Sequence, residues 1–137
     1  MEFNEVLSGV EDQNRGRWFE LLHPVTGAAT GMRLLLAGPD SRVQAEALAL
    51  MTDDLAELAD DQGRVSGADR AECHRRLLAR CILDWSVTEG GEPLPFGHER
   101  AKRLLAVAWV KAQADAFAAN RAVYFWPADK GGADAAA

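Results

Sequence analysis

Two helices of this chain are predicted to meet at residues 85–96, which read WSVTEGGEPLPF. Trp85 is predicted to close an apolar helix, and TEGG is typical of a turn in which Gly91 is structural. PLPF predicts a stiff extended corner, because proline fixes its own backbone angle and restricts the residue before it. A second helical pattern begins at about Gly97 and runs to Arg121. The segment holds no nucleophile with a base, no phosphate loop and no metal cluster, so it favours an interaction module over an enzyme.

Two long helices are predicted before this corner. Asp40 or Ser41 can cap the first, because a short polar side chain at a helix N-terminus accepts a hydrogen bond from a free backbone N–H. That helix runs to about Asp60, and the DQG that follows ends it. The second begins near residue 68 and runs to Trp85, with its placement against the first left open by the linker. Their apolar stripes recur every three or four positions and consist of Val43, Ala47, Leu48, Met51, Leu55 and Leu58 in the first helix and His74, Leu77, Leu78, Cys81, Ile82 and Trp85 in the second.

After the corner, a short helix is predicted over residues 99–108, with Leu104 and Leu105 turned inward. The chain continues as WVKAQADAFAANRAVYF, again with a helical period. The residues that share one face of this last helix are Val110, Ala114, Phe117 and Tyr124.

A β-hairpin is predicted before the first long helix. RWFELLH at 17–23 and GMRLLLA at 31–37 are short apolar runs separated by a Gly-bearing connection of about six to eight residues, which leaves the pairing register open. Two strands alone are marginally stable in water. The hairpin must therefore pack on the helices or pair with the same element of another subunit.

The expected fold is α+β and mostly α, with one domain at residues 17–126. It comprises a short N-terminal β-hairpin at 17–38 and about four helices within 39–126. Residues 1–16 are polar, contain Gly9 and Gly16 and show no clean period, so they predict a flexible N-terminal arm. Residues 127–137, PADKGGADAAA, predict a disordered tail.

Charge and composition exclude several classes of function. The 137 residues carry 15 Lys+Arg against 21 Asp+Glu, a net charge of −6, which argues against nucleic acid and anionic membranes as partners. No apolar run approaches the roughly 18 residues of a membrane span, and the N-terminus lacks a secretory signal. Cys73 and Cys81 on one helix would lie roughly 12 Å apart, too far for a disulfide. We therefore predict that both cysteines are free thiols and that the protein is located in the cytoplasm.

Candidate catalytic and metal-binding groups favour structural interpretations. Cys73, His74 and Cys81 could suggest zinc, but zinc sites usually pair cysteines two to four apart and supply four ligands. Ser41 lacks the G-x-S-x-G context of a hydrolase nucleophile and is better explained as a helix cap. The acidic pairs at 53–54 and 60–61 point apart around a helix and are typical of a solvated face. We therefore predict no catalytic residue, no metal and no cofactor.

Aromatic side chains are concentrated in the last third of the chain. Trp85 and Phe96 flank the corner, and we predict that both rings pack in the core. Tyr124, Phe125 and Trp126 adjoin the tail, where a small domain can hardly bury three rings, so partner binding and local packing remain equal alternatives there.

Two sets of motifs, in this order and spacing, cover residues 17–126. The first is LHPVTG at 22–27, GM at 31–32 and GPDS at 38–41. The second is WS at 85–86, GEPLPF at 91–96 and RLL at 103–105, followed by Gln113, Phe117 and Arg121. With them the chain resembles the tail assembly chaperones of long-tailed bacteriophages and prophages.

This resemblance implies a non-enzymatic role. Such chaperones bind the long helical tape measure protein, keep it soluble and support assembly of the tail tube. The resemblance also implies self-association, action in the host cytoplasm and absence from the finished virion. A longer frameshifted form occurs in many phages, and the tail at 127–137 is where an extension could be attached. The residues expected to hold or form the partner-binding groove are Trp85, Pro95, Phe96, Leu105, Phe117, Tyr124, Phe125 and Trp126.

Two alternatives remain open. The chain could be a structural part of the particle, such as a minor tail or head–tail connector protein. It could also be a small metal-dependent enzyme or regulatory domain using Cys73, His74 and the acidic pairs.

Overall fold

The computed structural model describes residues 1–126 and has the expected mixed architecture, mostly helical with small antiparallel sheets. The predicted tail, 127–137, lies outside the described residues. The helices are α1 (Phe3–Arg15), α2 (Arg42–Leu58), α3 (Gly67–Cys81), α4 (His98–Leu105) and α5 (Ala108–Ala119), followed by a 3-10 turn, η1 (Arg121–Phe125). The strands are β1 (Arg17–Leu22), β2 (Ala29–Leu36), β3 (Ile82–Ser86), β4 (Thr88–Glu89) and β5 (Glu92–Pro93).

The predicted hairpin is present as β1 and β2, which pair antiparallel around residues 23–28. Phe19 lies opposite Leu34 in the register. Inside the connecting loop, His23 Nδ1 accepts hydrogen bonds from the backbone N–H groups of Val25 and Thr26. Gly27 has a positive φ of 74°, a conformation that glycine adopts without steric cost.

A third strand corrects the prediction that the second long helix extends to Trp85. That helix ends at Cys81, and β3 pairs antiparallel with β2, placing Trp85 opposite Leu34. Ile82 and Trp85 are buried in this strand, and the free edge of β2 provides hydrogen-bond partners that a helix would forgo. The hairpin therefore extends its sheet with a strand of its own chain.

The N-terminal helix corrects the prediction of a flexible arm. The helix has an apolar stripe at helical spacing, formed by Phe3, Val6, Leu7 and Val10. Gly9 lies within the helix without breaking it. The helix ends at Gly16, whose φ of 80° suits glycine at a helix C-terminus.

A serine side chain caps the N-terminus of each long helix. Ser41 accepts a hydrogen bond from the N–H of Gln44 at 3.0 Å, which confirms it as the cap of α2. Ser66 accepts one from the N–H of Asp69 at 3.1 Å at the start of α3. The two helices pack together, and Asp54 of α2 lies 3.3 Å from Arg80 of α3.

The core lies between the three-stranded sheet and the helices. Phe19 of β1 stacks on Phe117 of α5 with ring centroids 4.7 Å apart, and Tyr124 meets Phe117 edge-on at 5.9 Å. Tyr124 lies on η1 because α5 ends at Ala119, earlier than predicted. Among residues 1–126, no helix combines the length and apolar character needed to cross a membrane.

Candidate partner-binding surfaces

The corner at residues 85–96 folds around Trp85. The indole Nε1 donates a hydrogen bond to the carbonyl oxygen of Leu94 at 2.7 Å, and the ring meets Phe96 edge-on with centroids 5.5 Å apart. Gly90 and Gly91 both have positive φ, 59° and 82°, and form the two-residue turn between β4 and β5. Trp85 is only 8% exposed, so its main role is to hold this corner.

A groove of about 560 Å³ opens beside the corner, and we call it the corner groove. Arg100, Arg103 and Glu89 are the exposed charged residues of its lining, so positive charges outnumber negative ones there. Pro95 is exposed nearby, and its carbonyl oxygen accepts a hydrogen bond from Arg100 Nη1 at 2.8 Å. The apolar lining consists of Met32, Trp85, Val87, Leu94, Leu104 and Val107.

A second apolar surface joins the two ends of the described chain. A groove of about 160 Å³ lies between α1 and Phe125, and we call it the α1 groove. Phe125 is 62% exposed and Trp126 is 47% exposed, so both rings are accessible to a partner. The lining of the α1 groove includes Met1, Glu5, Val6, Val10, Asp40 and Phe125.

Buried Arg17 connects the elements that form this surface. Its guanidinium pairs with Asp12 of α1, and its Nη2 donates to the carbonyl oxygens of Trp126 at 3.0 Å and Tyr124 at 3.3 Å. One side chain therefore connects the C-terminal end of α1, the start of β1 and the end of η1.

Gln13 and Asp40 provide a second attachment of α1. Gln13 Oε1 accepts from the backbone N–H of Asp40 at 2.6 Å, while its Nε2 donates to the carboxylate of Asp40 at 3.1 Å. Arg121 donates two further hydrogen bonds to that carboxylate, at 2.7 and 2.9 Å. The hydrogen bond from Arg121, aided by Gln13, holds the pKa of Asp40 below its ordinary value of 3.8, although partial burial opposes the shift. Asp40, one of the two predicted cap residues, therefore serves to fasten α1 and η1, and Ser41 is the cap.

The residues predicted to form a partner-binding groove occupy three different environments. Leu105 and Tyr124 are buried in the core together with Trp85, and only Trp85 reaches a groove lining. Phe96 and Phe117 are half-buried against that core. The exposed members of the set are Pro95, Phe125 and Trp126. Sequence reasoning missed Met1, Phe3, Val6 and Leu7, although the helical spacing of the last three was a signal that could have revealed them.

The cysteines and histidines do not converge on a metal site. Cys73 and Cys81 are buried, and burial raises the pKa of the Cys81 thiol to about 12, which keeps it protonated. His74 points elsewhere and lies 3.5 Å from Asp115 of α5. Within residues 1–126, no three His, Cys, Asp or Glu side chains are placed to hold a metal ion together.

Comparison with known proteins found no family model, no curated protein and no solved structure that matches this chain.

Proposed function

We propose that this chain is a non-enzymatic tail assembly chaperone of a long-tailed bacteriophage or prophage. It binds the tape measure protein, keeps that protein soluble and supports assembly of the tail tube around it. It acts in the host cytoplasm as a self-associating protein and is absent from the finished virion.

The observation that carries this proposal is the apolar surface formed by α1 and the end of η1. Met1, Val6 and Phe125 line the α1 groove, and Phe3 and Leu7 are further exposed apolar side chains of α1. All five side chains are at least half exposed. Exposed apolar patches mark interaction sites. A chaperone for a long helical protein needs such a surface, because an unassembled amphipathic helix exposes apolar side chains that otherwise aggregate.

The open form of the corner groove also supports a chaperone. A protein that later gives up its partner benefits from modest contacts spread over a surface, since few deep anchors mean faster dissociation. The net charge of −6 favours solubility of the complex while the tail assembles.

Co-expression tests the proposal. The tape measure protein is produced alone and together with this chain, and its soluble fraction and co-purification are measured. We expect it to be insoluble alone and soluble in complex. If it stays insoluble and unbound, the chaperone proposal fails. Mass spectrometry of purified particles then examines the alternative, because a minor tail or connector protein would remain in the virion.

A further inference from the structure

We infer that the α1 groove takes one large apolar side chain of a partner helix, at a position flanked by lysine or arginine. This deepens the proposed function and depends on it only in taking the tape measure protein as the natural source of that helix. The inference itself comes from the shape, exposure and charge of α1.

The apolar stripe of α1 is largely exposed in the described part of the chain. Gln13, near its C-terminal end, is its one buried residue, whereas Phe3 is 77% exposed and Val6 is 53% exposed. Helices shorter than about 12–15 residues are marginal alone in water and depend on packing of an apolar face. The 13 residues of α1 therefore leave an apolar face for another helix to cover.

The groove has the size of one side chain. It measures about 160 Å³, and an apolar cavity of roughly 150 Å³ can hold a benzene ring. Val6 and Val10 form one wall, and the ring of Phe125 forms another. Leucine, methionine or phenylalanine on a helix would fit this space.

The charge beside the groove selects a basic partner. Residues 1–15 contain four carboxylates against one arginine. Asp12 pairs with Arg17, Glu11 lies 4.0 Å from Arg42, and Asp40, which lines the groove, pairs with Arg121. Glu2 and Glu5 form no ion pair within residues 1–126. Lysine or arginine on the incoming helix would pair with Glu5, which lines the groove, and this pairing favours association and sets the orientation of the helix.

The same charges argue against two other occupants. A second copy of α1 would place glutamates against glutamates, and such like-charge contacts are unfavourable. The chain's own residues 127–137 offer only proline and alanine as apolar side chains, which are smaller than leucine, methionine or phenylalanine, and their two aspartates outnumber their one lysine.

Binding of synthetic helices tests the inference without the tape measure protein. Two labelled amphipathic peptides of about 20 residues share one leucine stripe and differ in carrying lysine or glutamate beside it. Fluorescence anisotropy with the full-length protein should show binding of the lysine peptide about tenfold or more tighter than that of the glutamate peptide. Equal affinities, or tighter binding of the glutamate peptide, would overturn the inference.

Matched variants locate the site. Val6→Asp should weaken binding of the lysine peptide by about tenfold or more, whereas Leu50→Asp, at a similarly exposed position on α2, should leave it unchanged. Glu5→Lys should weaken binding, whereas Glu57→Lys, which makes the same change of charge on α2, should have little effect. Unchanged melting temperatures establish that all four variants are folded. Equal losses in the α1 and α2 variants would show that the groove is not the site.

Binding of the tape measure protein to wild type and to Val6→Asp distinguishes failure of this inference from failure of the proposed function. If it binds wild type and Val6→Asp equally well, the chaperone proposal stands and the α1 groove is rejected. If it binds neither, the chaperone proposal fails, while the peptide measurements still decide whether the groove recognises basic amphipathic helices.

Discussion

Gln113 pairs with both backbone polar groups of Leu22. Its Oε1 accepts from the N–H of Leu22 at 2.9 Å, and its Nε2 donates to the carbonyl oxygen at 2.8 Å. Leu22 ends β1, which is an edge strand of the three-stranded sheet. The amide of α5 thus occupies hydrogen-bonding positions that a strand from another chain would use, and it protects an exposed edge.

Replacing Gln113 with Ala should expose this edge. We expect a loss of about 1 kcal/mol in the free energy of unfolding, because two partly solvated hydrogen bonds are removed. We also expect stronger self-association than in wild type, since edge strands pair readily with one another. Urea unfolding and sedimentation velocity measure these effects, with Lys111→Ala as the control on the same helix. If Gln113→Ala matches Lys111→Ala in both the free energy of unfolding and self-association, the hydrogen bonds of Gln113 do not protect the edge of β1.

Trp85 is expected to be the principal side chain of the corner. Trp85→Ala should lower the free energy of unfolding by about 3–5 kcal/mol, because it removes a large buried ring. Trp85→Phe should cost less, since it keeps part of the ring while losing the hydrogen bond to Leu94. Thermal unfolding of both variants gives the comparison. An unchanged melting temperature for Trp85→Ala would contradict the core assignment.

The fold was predictable where short-range patterns decide it. Ser41 and the three- to four-residue spacing after it defined α2, and two apolar runs around a Gly-bearing loop defined the hairpin. The strand β3 was not predictable in this way, because Ile82 and Trp85 also continue the helical stripe of α3. The free edge of β2, about 50 residues earlier in the chain, decides between the two.

The candidate surface was predictable in part for a similar reason. The position of Phe125 and Trp126 beside a polar tail indicated exposure, and both are exposed. The burial of Tyr124 depends on a distant contact, since its hydroxyl donates to the carbonyl oxygen of Leu36 at 3.0 Å. The apolar face of α1 was missed because Gly9 and a polar composition concealed its period.

Phe125 and Trp126 are expected to serve binding more than folding. Phe125→Ala and Trp126→Ala should each weaken capture of the tape measure protein while leaving the melting temperature within error, because both rings lie outside the core. The backbone contact from Arg17 to the carbonyl oxygen of Trp126 is retained in the alanine variant. Leu58→Ala, at another exposed apolar position, is the control in the same pull-down. Binding as tight as wild type in both aromatic variants would reject this surface.

Asp40 should make the attachment of α1 and η1 sensitive to acid. Its pKa is lowered in the folded protein, chiefly by the hydrogen bond from Arg121, so ionised Asp40 stabilises the fold above the ordinary pKa of 3.8 that it has in the unfolded chain. This contribution is lost as the pH falls through the lower folded value. The free energies of unfolding of wild type and Asp40→Asn in urea should therefore differ by a constant amount above about pH 5, and the difference should shrink as the pH falls below about 4 and through the lower folded pKa. If the difference in the free energy of unfolding between wild type and Asp40→Asn does not change with pH, the ionised carboxylate of Asp40 does not stabilise the fold.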